Sequence, residues 1–302
     1  MSASCGICGG ERRPRFPKVL DPHSKDTFAI DGCVRCGHGV TVPAPIDLGP
    51  YYPEVYYGGR HGFTHRHCFG RRLSWLQQAE PTPGRLLDVG GGDGSFVEMA
   101  SGKGWSATAV ERNPEPLRAR GLQVVTDMAA AGDLGPFEAI TMWHSLEHFT
   151  DLDAVLDSIR NLLSARGSLI VAVPRASSFQ AKVAGRHWLH LDVPRHLHHF
   201  SDASLTQLLK KHGLSVQRVW RHEYEYDLMG WVQSLSNGLL PTKNLFFDIA
   251  TGRAPADVGG LAKTVAIALG MMLLPLAAPV TALEALFNRS GTLVVQAQLH
   301  RP

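Results

Sequence analysis

This sequence has a small net charge and few cysteines, and it lacks an apolar stretch near its first residue. The net charge of +3 over 302 residues is too small to indicate nucleic-acid binding by itself. The opening segment MSASCGICGGERRPRF lacks the apolar run of a secretory signal, so we expect the chain to stay in the reducing cytosol, where disulfides are rare. With 44% hydrophobic residues, the chain is expected to fold into one large domain and one small one.

The five cysteines therefore need an explanation other than disulfides. Four of them form two pairs with a two-residue gap, Cys5 with Cys8 and Cys33 with Cys36. Such a gap lets both thiolates of one tight turn face the same ion, and two such turns complete a tetrahedral Zn²⁺ shell. Since four thiolates leave no open position for chemistry, we expect a structural site; redox or incidental cysteines are the alternative. Cys68 is left over and is expected to be a packed, inert thiol.

From residue 85 onward, apolar runs of strand length alternate with amphipathic runs of helix length. This alternation predicts a parallel β-sheet with helices on both faces. In such sheets, ligands bind beyond the carboxyl ends of the strands, and the first turn from strand to helix is the usual cradle. Asp151 and Ser201 stand where each can cap the helix that follows it.

The first turn of this predicted sheet is rich in glycine, because the run LLDVGGGDGSF ends a strand and opens a helix. Gly90, Gly92 and Gly94 allow the backbone to pass close to a ligand, toward which the first amides of the helix also point. A turn that binds a dinucleotide would carry its third glycine where Ser95 stands, and the carboxylate of Asp88 would repel a pyrophosphate. A plain tight turn is the other explanation.

A second acid, Glu111, ends the next strand-like run, SATAVE. At this distance from the glycine-rich turn, an acid can accept hydrogen bonds from both hydroxyls of a ribose. Two acids around such a turn fit a nucleoside that carries positive charge and no phosphate. S-adenosylmethionine is the common molecule of that kind.

The segment Asp88-Val-Gly-Gly-Gly-Asp-Gly94 resembles the first motif of the class I S-adenosylmethionine-dependent methyltransferases, and the resemblance covers about 85–226 and 291–302. It implies a Rossmann-like sheet that ends in an antiparallel pair, here LSVQRVW and TLVVQAQLH. It also implies that Asp88 and the glycines flank the methionine end of the cofactor, that Glu111 holds the ribose and that Asp127 contacts the adenine. A surface acid is the alternative for Asp127, and a Rossmann-like domain with another ligand is the alternative for the core.

His144, Glu147 and His148 form an H-x-x-E-H pattern, the inverted signature of zinc proteases. That chemistry needs a helix that places both imidazoles on one face. Here the pattern directly follows the strand-like run FEAITMW, which indicates an exit loop instead. In the family that this chain resembles, a Leu-Glu-His sequence occupies this loop and lines the cofactor pocket, so the resemblance implies that His144 contacts the cofactor.

A second loop, GRHWLHLDVPRHLHHFS over 185–201, concentrates histidines after the fifth strand. Polar residues this dense at the carboxyl edge of a sheet indicate the acceptor side of a site. Because a neutral hydroxyl must lose a proton when it is methylated, we expect His196 or His199 to act as the base, with His148 as the third candidate. Histidines that only hold the loop together are the alternative. The run also resembles a segment of a bacterial branch of the family whose members act on small-molecule and sugar acceptors.

More than sixty residues separate the last two strands. Within them, the run 264–283 contains no charged residue and is long enough to span a bilayer. One crossing would separate two strands that must pair, and Pro275 and Pro279 are expected to break the run. We therefore expect a broken or surface-lying pair of helices within 229–290. They contact a membrane, or they pack on the enzyme or on a second subunit.

The predicted fold class is α/β, a Rossmann-like methyltransferase sheet with an N-terminal zinc ribbon and an apolar helical insertion between the last two strands. The predicted domains are the ribbon (1–45), a linker (46–84), the core (85–226 and 291–302) and the insertion (227–290). Tyrosines 51, 52, 56 and 57 of the linker either fold over the cofactor or belong to a packed linker.

The predicted function is transfer of methyl from S-adenosylmethionine to an oxygen of a small-molecule, sugar or lipid-linked acceptor. We expect it in the cytoplasm, either free or at the inner face of the membrane. The alternative is a protein that binds nucleic acid or protein through its ribbon, for which Arg12, Arg13 and Arg15 are the only support. We do not expect nucleic acid to be a partner of the enzyme.

Overall fold

The computed structural model describes residues 4–52 and 65–300, and its contacts group the chain into two compact units. The first unit comprises Met1–Thr64, Pro174–Ser204 and Arg221–Leu293, and the second comprises His65–Val173, Leu205–Trp220 and Val294–Pro302. This division differs from the predicted domains, because the ribbon shares a unit with the insertion and with the histidine-rich loop.

The described residues form strands β1 to β11 and α-helices α1 to α9. The strands are β1 (Arg12–Leu20), β2 (Thr27–Cys33), β3 (Gly39–Val42), β4 (Arg85–Val89), β5 (Ser106–Val110), β6 (Gln123–Val125), β7 (Phe137–Trp143), β8 (Leu163–Pro174), β9 (His198–His199), β10 (Leu214–Trp220) and β11 (Thr292–Leu299). The α-helices are α1 (His65–Ala79), α2 (Ser95–Ser101), α3 (Glu115–Ala119), α4 (Leu152–Leu162), α5 (Phe179–Ala184), α6 (Asp202–Lys211), α7 (Tyr224–Leu239), α8 (Leu245–Thr251) and α9 (Gly260–Leu286).

The second unit is built on a seven-stranded sheet in the order β10-β11-β8-β7-β4-β5-β6. The neighbours from β8 to β6 run parallel, whereas β10 and β11 pair in antiparallel fashion. Central parallel strands are covered on both faces, so they need continuous apolar side chains, as in the run Leu86–Leu87 of β4. The predicted α/β sheet with an antiparallel last pair is confirmed.

Helix α1 belongs to the core of the second unit, although its sequence falls in the predicted linker. Its side chains Leu73, Trp75 and Leu76 lie in the same buried cluster as Leu86 of β4 and Phe96 of α2. An apolar stripe at helical spacing is therefore used here to cover the sheet. The core begins with α1 and not at residue 85.

Of the four tyrosines predicted to cover the cofactor, Tyr51 and Tyr52 lie among the described residues, and the amide of Tyr52 donates to the carbonyl of Gly49 at 3.0 Å. Tyr56 and Tyr57 lie outside the described residues. Tyr51 belongs to the first unit, where its hydroxyl donates to Oδ2 of Asp26 at 3.0 Å and its ring packs edge-on against Phe28. These two contacts of the Tyr51 side chain lie on the ribbon.

The two predicted helix caps are present. Oδ1 of Asp151 accepts the backbone amide of Ala154 at 2.9 Å at the start of α4. The hydroxyl of Ser201 accepts the amide of Ser204 at 3.0 Å at the start of α6. Each side chain satisfies an amide that the first turn of a helix leaves without a partner.

A small antiparallel sheet in the order β1-β2-β3-β9 forms the ribbon side of the first unit. Its fourth strand is not part of the predicted ribbon at all. It comes from the histidine-rich loop, whose residues His198 and His199 pair with Val40 and Gly39 of β3. The ribbon and the loop thus form one sheet.

The insertion folds as α7, α8 and α9, and the expectation that Pro275 and Pro279 break the apolar run was wrong. Helix α9 continues for 27 residues through both prolines. A proline keeps a helical φ but removes one amide donor and crowds the preceding turn. Both prolines lie on the exposed side, while Leu273 and Ala277 stay packed in a cluster with Trp231, so tertiary contacts maintain the helix. By length and composition, α9 is the one helix in the described residues that could cross a membrane.

Candidate active site

The glycine-rich turn between β4 and α2 adopts a backbone conformation that side chains disfavour. Gly90, Gly92 and Gly94 have φ angles of 84°, 57° and 81°, a region that residues with a Cβ atom rarely occupy. A Cβ on Gly90 would lie 2.6 Å from that of Ser145, and a Cβ on Gly94 would lie 2.5 Å from Cδ1 of Leu122. Gly92 meets no neighbour within 4 Å, so its face of the turn stays open.

Glu111 fixes this turn from the end of the adjacent strand β5. Its Oε2 accepts the amide of Gly92 at 3.0 Å, and its Oε1 accepts the amide of Asn113 at 3.2 Å. The side chain is half-buried, so its carboxylate is held in one place beside the open face of the turn. A fixed carboxylate at this place suits the two hydroxyls of a ribose.

Asp88 lies at the end of β4, and its side chain is almost completely buried. The hydroxyl of Thr141 donates to its Oδ1 at 2.6 Å. Burial raises the pKa of Asp88 to about 7, although the hydrogen bond from Thr141 and the charge of Arg72 both act to lower it. A buried carboxyl whose pKa is raised in this way becomes fully ionised when a cation binds beside it.

These features coincide with a known family. The family described as a methyltransferase domain matches residues 63–219, which include the turn and both acids. The chain belongs to this methyltransferase family. Its fold and motif are those of the class I S-adenosylmethionine-dependent enzymes.

Relatives of the methyltransferase include proteins named ubiquinone biosynthesis O-methyltransferase. The protein from Xylella fastidiosa (strain 9a5c) is 30% identical over 173 residues, 51% of this chain and 70% of the relative. The protein from Xanthomonas axonopodis pv. citri (strain 306) is 30% identical over 174 residues, 51% and 72% of the two chains. A solved structure from Galdieria sulphuraria, described as a candidate sarcosine dimethylglycine methyltransferase, matches with a TM-score of 0.51 at 14% identity. It covers 83% of this chain and 97% of its own, which shows the shared fold.

Sequence reasoning missed Arg72, because α1 was expected to lie in a linker. The side chain is buried in the second unit, with its guanidinium carbon 5.1 Å from the ring centre of Trp143 and 5.3 Å from that of Phe69. Its charge acts on Asp88. A buried arginine near the strand end of a methyltransferase fits a ligand that carries a carboxylate, as S-adenosylmethionine does. The apolar spacing around it in α1 was the available signal.

His144, Glu147 and His148 follow β7 directly, as predicted, and they do not share a helix face. His144 has a φ angle of 52°, and a short 3-10 helix spans Leu146–His148. Nδ1 of His144 lies 3.7 Å from Oε1 of Glu147, which is completely buried. This geometry gives no support to the zinc-protease interpretation. The cofactor contact of His144 stays a prediction.

Asp127 is exposed, two residues after the end of β6. Its Oδ1 accepts the amide of Ala130 at 2.8 Å and so stabilises a local turn. The role in adenine binding stays a prediction, and the surface turn is the structural role that the sequence left open.

The two histidines expected to act as base differ in position within the first unit of the methyltransferase. His199 is buried in the pairing of β9 with β3, where its Nε2 lies 3.1 Å from the hydroxyl of Thr41. Burial holds the pKa of His199 well below its usual range, so the ring is neutral but enclosed. Nδ1 of His196 donates to the carbonyl of His190 at 2.9 Å, and its Nε2 lies 3.9 Å from Oδ2 of Asp192. His196 is itself only 8% exposed, so both assignments as base stay predictions.

The four paired cysteines converge in the first unit. Their sulfur atoms all lie within 4.8 Å of one another, with 3.7 Å between Cys5 and Cys36 and 3.4 Å between Cys8 and Cys33. A tetrahedral Zn²⁺ with bonds of about 2.3 Å sets its sulfur atoms roughly 3.8 Å apart, so the arrangement is compatible with zinc. The basic residues nearby are engaged with the protein, since Arg13 pairs with Glu11 and Arg15 donates to the carbonyl of Ala176. These contacts do not test the nucleic-acid alternative, which stays a prediction.

Ionisation of Asp88 should couple cofactor binding to pH. If the positive charge of S-adenosylmethionine requires the ionised carboxylate, protonation below about pH 7 must weaken binding by roughly tenfold per unit. Calorimetric titrations between about pH 6 and pH 8 should show this slope in the natural protein. In Asp88→Asn the affinity should be low and flat, whereas Glu115→Gln, at an exposed acid of α3, should leave the slope unchanged.

The raised pKa of Asp88 also affects the stability of the protein without cofactor. The native carboxyl keeps a proton that the unfolded chain releases between about pH 4 and pH 7, so this group lowers the free energy of unfolding as pH rises through that window. Asp88→Asn should remove this contribution to the free energy of unfolding.

A natural protein whose cofactor affinity is the same at about pH 6 and about pH 8 would contradict the role of Asp88 in cofactor binding.

Proposed function

We propose that the enzyme transfers the methyl group of S-adenosylmethionine to an oxygen of a small-molecule, sugar or lipid-linked acceptor. The observation that carries the cofactor assignment is the glycine-rich turn held between two acids, Asp88 and Glu111. The choice of oxygen is supported by the relatives named ubiquinone biosynthesis O-methyltransferase, which match the core of the chain. Their names are also what favours an acceptor with a lipid tail.

In this proposal, Asp88, Arg72 and Glu111 each contact a different part of the cofactor. Asp88 would face its positively charged methionine end, Arg72 its carboxylate and Glu111 its ribose hydroxyls. When bound, the cofactor supplies an activated methyl group on a sulfonium. The contribution of the chain is to align the acceptor in line with that bond and to exclude water.

His196 is the proposed base. A hydrogen bond from Nδ1 to the carbonyl of His190 fixes the tautomer, so that the proton sits on Nδ1 and Nε2 carries the lone pair. An imidazole in that state can take the proton of an acceptor hydroxyl. His199 and, third, the half-buried His148 are the other candidates.

The four cysteine thiolates are proposed to hold one structural Zn²⁺. Support comes from the spacing of the two pairs in sequence and from the convergence of the four sulfur atoms. Since all four coordination positions are taken by thiolates, the ion is given no part in the methyl transfer.

A single substitution tests the proposed base. His196→Gln should lower kcat by about 10² to 10⁴ with hydroxyl acceptors and leave the affinity for S-adenosylmethionine unchanged, because only the proton transfer is lost. Methyl transfer should be followed by mass spectrometry over a panel of hydroxylated aromatic, sugar and lipid-tailed acceptors. His187→Gln, in the same loop, is the control and should retain turnover. Equal turnover in both variants would contradict the role of His196, and methylation of amines alone would contradict the choice of oxygen.

A further inference from the structure

One side of α9 exposes large apolar side chains along its whole length. This outward face consists of Leu261, Val265, Ile267, Met271, Met272, Leu276, Leu283 and Leu286, which are between 42% and 81% exposed. Isolated exposed apolar residues are ordinary, but a continuous row of them marks a surface that contacts something else. The mean hydropathy of the helix reaches 2.0 over eighteen residues.

The opposite side of α9 is packed on the protein. Its buried residues are Ala266, Gly270, Leu273, Ala277, Thr281 and Glu284, a stripe of mostly small side chains. A Cβ on Gly270 would lie 2.3 Å from the ring of Phe246, so the two helices α8 and α9 touch closely there. This stripe therefore packs in the core of the first unit, whereas the outward face stays exposed.

The exposed charges of α5 and of residues 260–290 are of one sign, although the exposed acid Asp257 precedes α9 by three residues. Helix α5 and residues 260–290 together contain four charged residues, Lys182, Lys263, Glu284 and Arg289. The only acid, Glu284, is buried, and it accepts hydrogen bonds from Nε1 of Trp231 at 2.6 Å and from the amide of Gln180 at 3.0 Å. The charges that reach solvent are therefore basic.

Helix α5 extends the apolar surface at the end of α9. The amide of Phe179 donates to the carbonyl of Arg289 at 3.2 Å, which holds the two elements together. Phe179 and Val183 are 49% and 52% exposed, and Phe287 is 67% exposed. Phenylalanines beside Lys182 and Arg289 give this end the composition of an anchor at a membrane interface.

We propose that the outward face of α9, with Phe179 and Val183, docks on the surface of an anionic lipid bilayer and that the helix lies in the plane of the membrane. The basic rim is complementary to anionic headgroups. An interface with a second copy of the chain would be expected to carry a polar rim of both signs, whereas the exposed charged residues of α5 and 260–290 are all basic.

An orientation across the bilayer conflicts with the connections of the insertion. The insertion starts and ends at the paired strands β10 and β11, so a crossing by α9 requires a second crossing by α7. Helix α7 has 16 residues and is about 24 Å long, shorter than the hydrocarbon core of about 30 Å. In addition, prolines 275 and 279 leave carbonyls without amide partners, and water at the membrane surface can satisfy those groups.

Flotation of the full-length protein with lipid vesicles tests this proposal. The natural protein should bind vesicles of phosphatidylcholine mixed with phosphatidylglycerol, and high salt should weaken the binding. Leu276→Glu combined with Leu283→Glu should abolish binding, while Ile46→Glu, at an exposed aliphatic residue away from the helices, should not. Replacing Lys182, Lys263 and Arg289 by Gln should weaken binding to the anionic vesicles by about fivefold per residue and spare binding to pure phosphatidylcholine.

Three outcomes would overturn the proposal. The first is a natural protein that does not float with anionic vesicles. The second is a dimer in sedimentation velocity without lipid that Leu276→Glu dissociates, which would assign the face to a second copy. The third is bound protein that resists extraction by alkaline carbonate, which would indicate a spanning helix. Unchanged binding of S-adenosylmethionine checks that each variant is folded, and because vesicle binding is measured without turnover, its failure leaves the proposed methyl transfer untouched.

Discussion

Removal of the metal from the four-cysteine site should unfold the small sheet β1-β2-β3-β9 and leave the seven-stranded sheet folded. Structural zinc contributes on the order of 10 kcal/mol to the folding of small ribbons, which is more than so small a sheet can supply from its own core. The sheet ends beside the four cysteines proposed as metal ligands, since the hydroxyl of Ser201 donates to the carbonyl of Cys36 at 2.5 Å. Loss of the ion should therefore release the histidine-rich loop as well.

This prediction can be measured with the purified protein. One zinc per chain is expected by plasma mass spectrometry, and Cys36→Ser should lose it. Treatment with a strong chelator should make residues of the ribbon and of 185–201 sensitive to proteolysis. It should lower turnover but spare the affinity for S-adenosylmethionine, since Asp88 and Glu111, the proposed cofactor-binding residues, belong to the other unit.

Cys68→Ser is the matched control, because this fifth cysteine lies in α1 of the second unit. The variant should keep its zinc. A protein that is purified without metal, or whose proteolytic pattern is the same after chelation, would show that the four thiols do not form a structural metal site.

The geometry of the glycine-rich turn could be predicted from sequence because local chemistry dictates it. Positive φ angles demand glycine at Gly90, Gly92 and Gly94, and each acid ends its own strand. A pattern of this kind is short and involves the backbone, so it is visible without knowledge of the packing. The same holds for the caps at Asp151 and Ser201, which depend on neighbours only three residues away.

Contacts between distant segments could not be predicted in the same way. In the run HRHCFGRRLSWLQQA nothing distinguishes the buried Arg72 from the half-buried Arg71, because only the docking of α1 decides which of the two is enclosed. The pairing of His199 with Gly39 joins residues far apart in the chain. That pairing encloses in a sheet a histidine that the sequence offers as a candidate base, a role that stays a prediction. Continuity of α9 through Pro275 is a similar case, since tertiary packing outweighs a local preference.

Arg195 illustrates how strongly such distant contacts can bind the histidine-rich loop to the ribbon. Its side chain is 1% exposed. Nε lies 3.1 Å from both carboxylate oxygens of Asp192, Nη2 donates to Oδ1 of Asp21 at 3.1 Å, and Nη1 donates to the carbonyl of Tyr51 at 3.1 Å. Asp21 is completely buried in the turn between β1 and β2, where it also accepts the amide of Ser24. One guanidinium thus joins three segments of the first unit.

Arg195→Ala should lower the free energy of unfolding of the first unit by about 3 to 5 kcal/mol, because it leaves the buried carboxylate of Asp21 without its cation. Arg195→Lys should recover only part of this loss, since an ammonium cannot hold two carboxylates in a fixed fork. Hydrogen exchange of the amides of β1, β2 and β9 should report the change, with Arg186→Ala, at an exposed residue of the same loop, as the control. If Asp21→Asn in the Arg195→Ala background restores none of the lost protection, the charge of Asp21 is not what makes the arginine necessary. If it restores most of it, the ion pair, and not the volume of the side chain, fixes the loop to the ribbon.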